Sequence, residues 1–166
     1  MFLAGNIANL QAHLRNFDAA MTTINHTIDQ ALENPALHSN LPIFYQQKAS
    51  YLVEQKLLDE AIIANQKGLE WAGKLKDTYF EAVIRNNLGD IYLRLRKPEL
   101  AEPHFRHYLR LSEQQQSLQD QILAKFNLGY VKVLQGDHHE GLQQMRNMLE
   151  EQKKIASQTE VLALLE

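Results

Sequence analysis

The chain has no cysteine, which removes disulfides, thiolate nucleophiles and cysteine-ligated zinc from consideration and leaves the redox compartment unassigned. Its 166 residues carry 17 lysines and arginines against 20 acidic groups, a formal charge of −3, and the cations form no block. A phosphate backbone calls for a concentrated basic face, so nucleic acid is not an expected ligand. No apolar run approaches the roughly 18 residues of a membrane span, and the opening MFLAGNIANL lacks the basic start of a signal peptide. No membrane insertion is expected of this segment, and a soluble, cytoplasmic location is the default reading.

Enzyme signals are missing too. There is no glycine-rich phosphate loop, no nucleophile elbow and no carboxylate pair whose spacing carries acid–base meaning. His104 and His107 lie three apart and His138-His139 sit at a helix start, but no HExxH pattern accompanies them, so they read as surface histidines. No catalytic residue, no metal and no cofactor is expected.

What the chain does have is repetition. Small residues are paired twelve apart at four places, Ala8 with Ala20, Ala49 with Ala61, Gly89 with Ala101, and Gly129 with Gly141, and the first members step by 41, 40 and 40. A period kept through the chain signals an array of similar units. Apolar residues at helical spacing precede each break: Ile7, Leu10 and Leu14; Tyr45, Leu52 and Val53; Leu88, Ile91, Tyr92 and Leu95; Leu128, Val131 and Leu134. The breaks fall at Asn16-Phe17, Lys56-Leu57, Lys97-Pro98 and Gly136-Asp137, each followed by a second periodic run. Four helical hairpins result, about 1–40, 41–79, 80–119 and 120–156, enough to share one continuous core. The paired small residues mark helix crossings, where a missing side chain lets two axes approach. Between units lie looser polar segments, of which ENPALHSNLP, with its two prolines, reads as the least helical. The final TEVLALLE aligns with DQILAKFN one period earlier, so residues 157–166 read as the start of a further helix in a chain cut within a repeat. Pro98 suits a first helical position, whereas Pro103 falls inside that helix and predicts a bend or a tightened first turn. Trp71, the single tryptophan, is expected to seal a contact between units.

Leu88-Gly89-Asp90-Ile91-Tyr92, followed by Ala101-Glu102-Pro103-His104-Phe105 and Tyr108, resembles a tetratricopeptide repeat (TPR). Leu128-Gly129 with Gly141 and Met145 is a degenerate copy, Ile7-Ala8 with Ala20 and Ile24 a weaker one, and Ala49 with Ala61 is followed by Asn65 where the aromatic would stand. The period of about 40 exceeds the usual 34, as in the extended repeats of bacterial signalling and regulatory proteins. The resemblance implies an all-α fold, a right-handed superhelical stack of antiparallel hairpins of the α-solenoid type.

It also implies a groove lined by the first helices that binds a protein or peptide. Transferred to this chain, the groove positions include Gln46 and Ser50 in the second unit, Asn86, Asn87, Asp90 and Arg94 in the third, and Phe126, Asn127 and Tyr130 in the fourth. Asparagine and glutamine can bond both the N–H and C=O of an extended peptide. The carboxylate clamp of some TPR domains is not supplied, because Gly5, Gln46, Asn86 and Phe126 occupy its lysine-bearing positions. Phe126, Tyr130 and Leu134 are then candidate apolar anchors. The expected role is a peptide-binding scaffold, a sensory or regulatory module of a larger signalling protein. The alternative is a homodimerisation module controlling a linked catalytic or DNA-binding domain.

Overall fold

The computed structural model describes the backbone of residues 2–163 and the side chains of residues 3–157. Among these residues there is no strand, and eight α-helices follow one another: α1 (Phe2–His13), α2 (Phe17–Glu33), α3 (Leu41–Glu54), α4 (Leu58–Leu75), α5 (Thr78–Arg94), α6 (Pro98–Gln114), α7 (Leu118–Gln135) and α8 (His138–Ala163). The fold is all-α, and none of the described helices is long and apolar enough to cross a membrane.

One closure recurs at the helix ends. After α1 and α3 to α7 a single residue turns left-handed: Arg15, Lys56, Lys76, Arg96, Gln116 and Gly136. The next amide then reaches back five residues to a helical carbonyl, as from Leu57 to Leu52 (2.9 Å), Lys97 to Tyr92 (2.9 Å) and Asp137 to Lys132 (2.9 Å). This Schellman arrangement satisfies carbonyls that the helix end would otherwise leave unpaired. The following helix is then capped by a side chain in three cases, with Asn16, Asp77 and Ser117 accepting from the amides of Ala19, Phe80 and Asp120. Short closures of this kind fold consecutive helices back on each other. The contacts run antiparallel: Lys132 pairs with Glu140, and Gln144 donates to the Lys125 carbonyl.

The chain forms two compact units, Met1–Ile91 and Tyr92–Glu166, with the division inside α5. In the first, Ala8, Ala20, Ile24, Ile28, Ala31, Leu41, Phe44, Tyr45 and Tyr51 make a buried cluster contributed by α1, α2 and α3. Trp71 packs on its margin, with the His38 ring at 4.8 Å and Lys74 Nζ at 4.5 Å from the indole, and so ties α4 to the segment between α2 and α3. In the second unit the core is Leu93, Ala101, Phe105, Leu128 and Val131. There the Tyr108 hydroxyl donates to Asp120 Oδ1 at 2.7 Å, linking α6 to the start of α7.

The small-residue pairs are buried at their helices' contacts. Ala8, Ala20, Ala49, Ala61 and Ala101 are all buried, as are Gly89, Gly129 and Gly141. At the α7–α8 crossing the reason is measurable, since a Cβ on Gly141 would stand 2.5 Å from the Gly129 carbonyl oxygen and 2.7 Å from Val133 Cγ2.

Several expectations are corrected by the structure. Residues Pro35–Asn40, read as the least helical stretch, form a 3₁₀ helix, because Asn34 accepts from the Ala36 amide and Pro35 presets the first turn. Ile7, Leu10 and Leu14, read as the apolar face of α1, are exposed. The inward face of α1 is held instead by Ala8, which meets α2. Helix α8 passes through Ser157 and Thr159 to Ala163 with no turn, in keeping with a stretch free of glycine and proline; residues 164–166 of the expected further helix lie outside the described residues. At Pro103 the structure agrees with one of the two expected outcomes: α6 is continuous and its first turn is tightened, with the Leu100 and Ala101 amides both donating to the Lys97 carbonyl (3.1 and 3.2 Å).

Candidate functional site

Helices α3, α4 and α5 line an open cavity of about 170 Å³ within the Met1–Ile91 unit. Three of the groove positions expected from sequence, Ser50, Asn87 and Asp90, line it together with Glu54, Ala49, Val53 and Ile91. Helical spacing accounts for the convergence: Ser50, Val53 and Glu54 share one face of α3, and Asn87 and Asp90 share one face of α5. Gln46 stands behind this wall. Its Nε2 donates to Ser50 Oγ at 3.0 Å while that hydroxyl donates to the Gln46 carbonyl at 3.2 Å, which fixes the serine rotamer.

The remaining wall is Asn65, on α4. Its side chain is 1% exposed, and neither Oδ1 nor Nδ2 has a hydrogen-bond partner in the protein. Four residues beyond the small residue of each second helix stand Ile24, Asn65, Phe105 and Met145. Ile24 and Phe105 are fully buried, so Asn65 holds a slot that other units fill with a large apolar side chain. An unpaired buried amide costs about 1–3 kcal/mol. Sequence reasoning registered the missing aromatic at Asn65 and did not assign it to the site; its polarity in an apolar register was the available signal.

A second hollow, of about 500 Å³, lies between α1 and α3 and shares Ser50 and Glu54 with the first. Asn9 and Tyr51 line it as well, and the Tyr51 hydroxyl donates to Asn9 Oδ1 at 2.5 Å. Burial pushes the Tyr51 phenol up to about 12. The phenol is therefore a hydrogen-bond donor at neutral pH, not a base.

The other expected positions do not join this cluster. Asn86 is half-buried on α5, and Arg94 is exposed near the end of that helix, in the Tyr92–Glu166 unit. Within that unit Phe126 lines an apolar cleft of about 750 Å³ between α7 and α8, with Ile122, Leu123, Met148, Leu149 and Ile155. Asn127 is half-buried, Tyr130 is exposed outside the cleft lining, and Leu134 packs against the core. The three apolar anchors expected there therefore have different surroundings along α7: the cleft for Phe126, solvent for Tyr130 and the core for Leu134. The histidines fall elsewhere: His104 stacks on Tyr92 at 5.5 Å, and His107 accepts from Arg110 at 2.9 Å. Among the described residues no three His, Asp or Glu side chains are grouped to hold a metal ion.

The tetratricopeptide repeat family matches residues 40–114, the span from α3 to the end of α6. No curated protein matches the sequence significantly. Among solved structures the chain is similar to BtubC (BKLC) from P. vanneervenii, at 18% identity and a TM-score of 0.78, with 95% of this chain and 63% of that one covered. It is similar to the apo form of RapI at 16% identity and a TM-score of 0.80, covering 89% of this chain and 42% of that one. YrrB, described as a TPR protein with an unusual peptide-binding site, aligns at 21% identity and a TM-score of 0.64, over 89% of this chain and 66% of that one. These likenesses are of fold, and the chain spans less than two thirds of the length of the first two proteins.

Proposed function

This chain is a tetratricopeptide repeat protein, by the match over residues 40–114 and by its fold, and from that premise we propose that it is a protein- or peptide-binding scaffold. The observation that carries the proposal is the convergence of Ser50, Asn87 and Asp90 from two first helices on one cavity. Hydroxyl, amide and carboxylate groups at helical spacing suit an extended peptide, whose backbone offers a donor and an acceptor at each residue. Gln46 and Asn86 belong to the proposed surface of the Met1–Ile91 unit, and Arg94, Phe126, Asn127 and Tyr130 are the proposed contact positions of the Tyr92–Glu166 unit, taken by itself. The role is non-catalytic, that of a cytoplasmic sensory or regulatory module of a larger signalling protein. YrrB, a protein of this fold described as having a peptide-binding site, supports the reading.

Panning a random peptide library on the purified chain tests it. Selected peptides should bind the Asn87→Ala/Asn127→Ala variant about tenfold more weakly, the loss of one or two hydrogen bonds, at an unchanged melting temperature. Failure to enrich any peptide, or equal affinity for the variant, would overturn the proposal.

A second reading, self-association, rests on α1. Leu3 and Leu10 are 77% and 61% exposed, yet one period later Phe44 and Tyr51 are buried, as are Ile84 and Ile91, and then Ala124 and Val131. A face that every later repeat covers is open on the first, and a second copy of the chain is a candidate to cover it.

A further inference from the structure

We propose that self-association joins unlike surfaces: α1 of one copy seats in the α7–α8 cleft of a second copy, in the way a first helix packs on the second helix before it. The inference rests on the self-association reading and adds the surface that receives α1. Contacts inside each compact unit supply the template. In the Met1–Ile91 unit Phe44 and Tyr51 of α3 cluster with Ile24, Ile28 and Ala31 of α2, and a Cβ on Gly68 of α4 would stand 2.9 Å from Ile84 Cδ1 of α5. In the Tyr92–Glu166 unit Leu128 and Val131 of α7 cluster with Ala101 and Phe105 of α6. The repeat carries both halves of this contact to α1 and α8. Leu3 and Leu10 are the counterparts of Phe44 and Tyr51, and Ile7 is the counterpart of Leu128; on the other side, Leu149 corresponds to Ile28 and Met148 to Gly68. Ile28, packed with α3, is 5% exposed, whereas Leu149 is 45% exposed, and among the described residues no later helix lies over α8. One half of the contact is thus open on α1 and the other on α8.

Polarity agrees with the pairing. The cleft, of about 750 Å³, is lined by Ile122, Leu123, Met148 and Leu149, and the one charged group in its lining is Asp120, whose carboxylate already accepts from the Tyr108 and Ser117 hydroxyls. Helix α1 contains no aspartate, glutamate, lysine or arginine, so seating its leucine stripe strips water from no carboxylate, ammonium or guanidinium group of that helix. Because a first helix meets a second helix, the interface is heterologous and needs one stripe and one cleft from different copies.

The test mixes two variants of the full chain. Leu3→Glu/Leu10→Glu spoils the stripe and keeps the cleft, whereas Leu123→Glu/Leu149→Glu spoils the cleft and keeps the stripe. Leu123 and Leu149 are 42% and 45% exposed, so both variants should melt near the original temperature. In sedimentation equilibrium the original chain should gain mass with concentration, and each variant alone should associate about a hundredfold more weakly. An equimolar mixture of the two should nevertheless form a one-to-one complex, because one intact stripe and one intact cleft remain. Should either variant melt early, the glutamine pair at the same positions removes the apolar contact without adding charge and must give the same pattern. A cleft variant that associates as strongly as the original would mean that the stripe pairs with itself; that result overturns the inference and leaves self-association standing. A mixture that stays monomeric, beside an original chain that associates, overturns it in the same way. A constant mass for the original chain overturns both readings and leaves the cleft to a helix of another protein.

Discussion

At the residue scale the most regular choice in the chain is the left-handed residue that follows α1 and each of α3 to α7. Glycine is free of the Cβ clash at positive φ, and Gly136 takes φ 105° at the end of α7. Arg15, Lys56, Lys76, Arg96 and Gln116 adopt φ between 56° and 64° with a full side chain, at a cost of about 1–2 kcal/mol each. Lys56 is exposed and its side chain points to water, so Lys56→Gly relieves that strain. The variant gives back part of the gain through the greater freedom of the unfolded chain, and a net stabilisation of about 0.5–1 kcal/mol is expected. Urea denaturation would show it as a higher midpoint at unchanged slope; a lower midpoint would mean that the lysine side chain contributes contacts of its own. Asn65 breaks the apolar register in the same local manner, but it lies inside, where a polar atom without a partner weighs more than backbone strain.

Elements meet through their small residues, and two glycines separate packing from propensity. Gly73 lies in α4 with nothing within 4 Å of where a Cβ would stand, whereas on Gly141 a Cβ would collide with the Gly129 carbonyl of α7 at 2.5 Å. Gly73→Ala should therefore stabilise by about 0.5–1 kcal/mol through helix propensity alone. Gly141→Ala should destabilise by about 1–3 kcal/mol, because a backbone carbonyl cannot step aside and the two helices must separate. Thermal melts of the two variants would move in opposite directions; a stabilised Gly141→Ala would refute the close crossing. The small-residue spacing was legible in the sequence for this reason, since each pair records a backbone contact. Of the two outcomes expected at Pro103, the structure shows the tightened first turn, within a continuous α6.

For the whole molecule, the exposed stripe on α1 is the feature with the largest consequence. Leu3, Ile7, Leu10 and Leu14 follow one another by four, three and four residues, which places them on one helical stripe, and each is at least half exposed. Self-association through this stripe predicts a sedimentation-derived mass that rises with concentration, and a Leu3→Glu/Leu10→Glu variant that stays monomeric with its melting temperature nearly unchanged. A mass independent of concentration in the original chain would exclude the self-association reading.

The sequence by itself determined the helical hairpins, their period and the positions where helices cross, because these follow from local periodicity, turn chemistry and side-chain size. The resemblance to tetratricopeptide repeats selected Ser50, Asn87 and Asp90 as expected groove positions, and the structure brings these three to one cavity. Which faces are covered was decided only by tertiary structure. Ile7, Leu10 and Leu14 carry the same apolar pattern as their buried counterparts, and burial depends on what neighbouring helix is present. The cavity lined by Ser50, Asn65, Asn87 and Asp90 likewise exists only because α3, α4 and α5 come together in the fold.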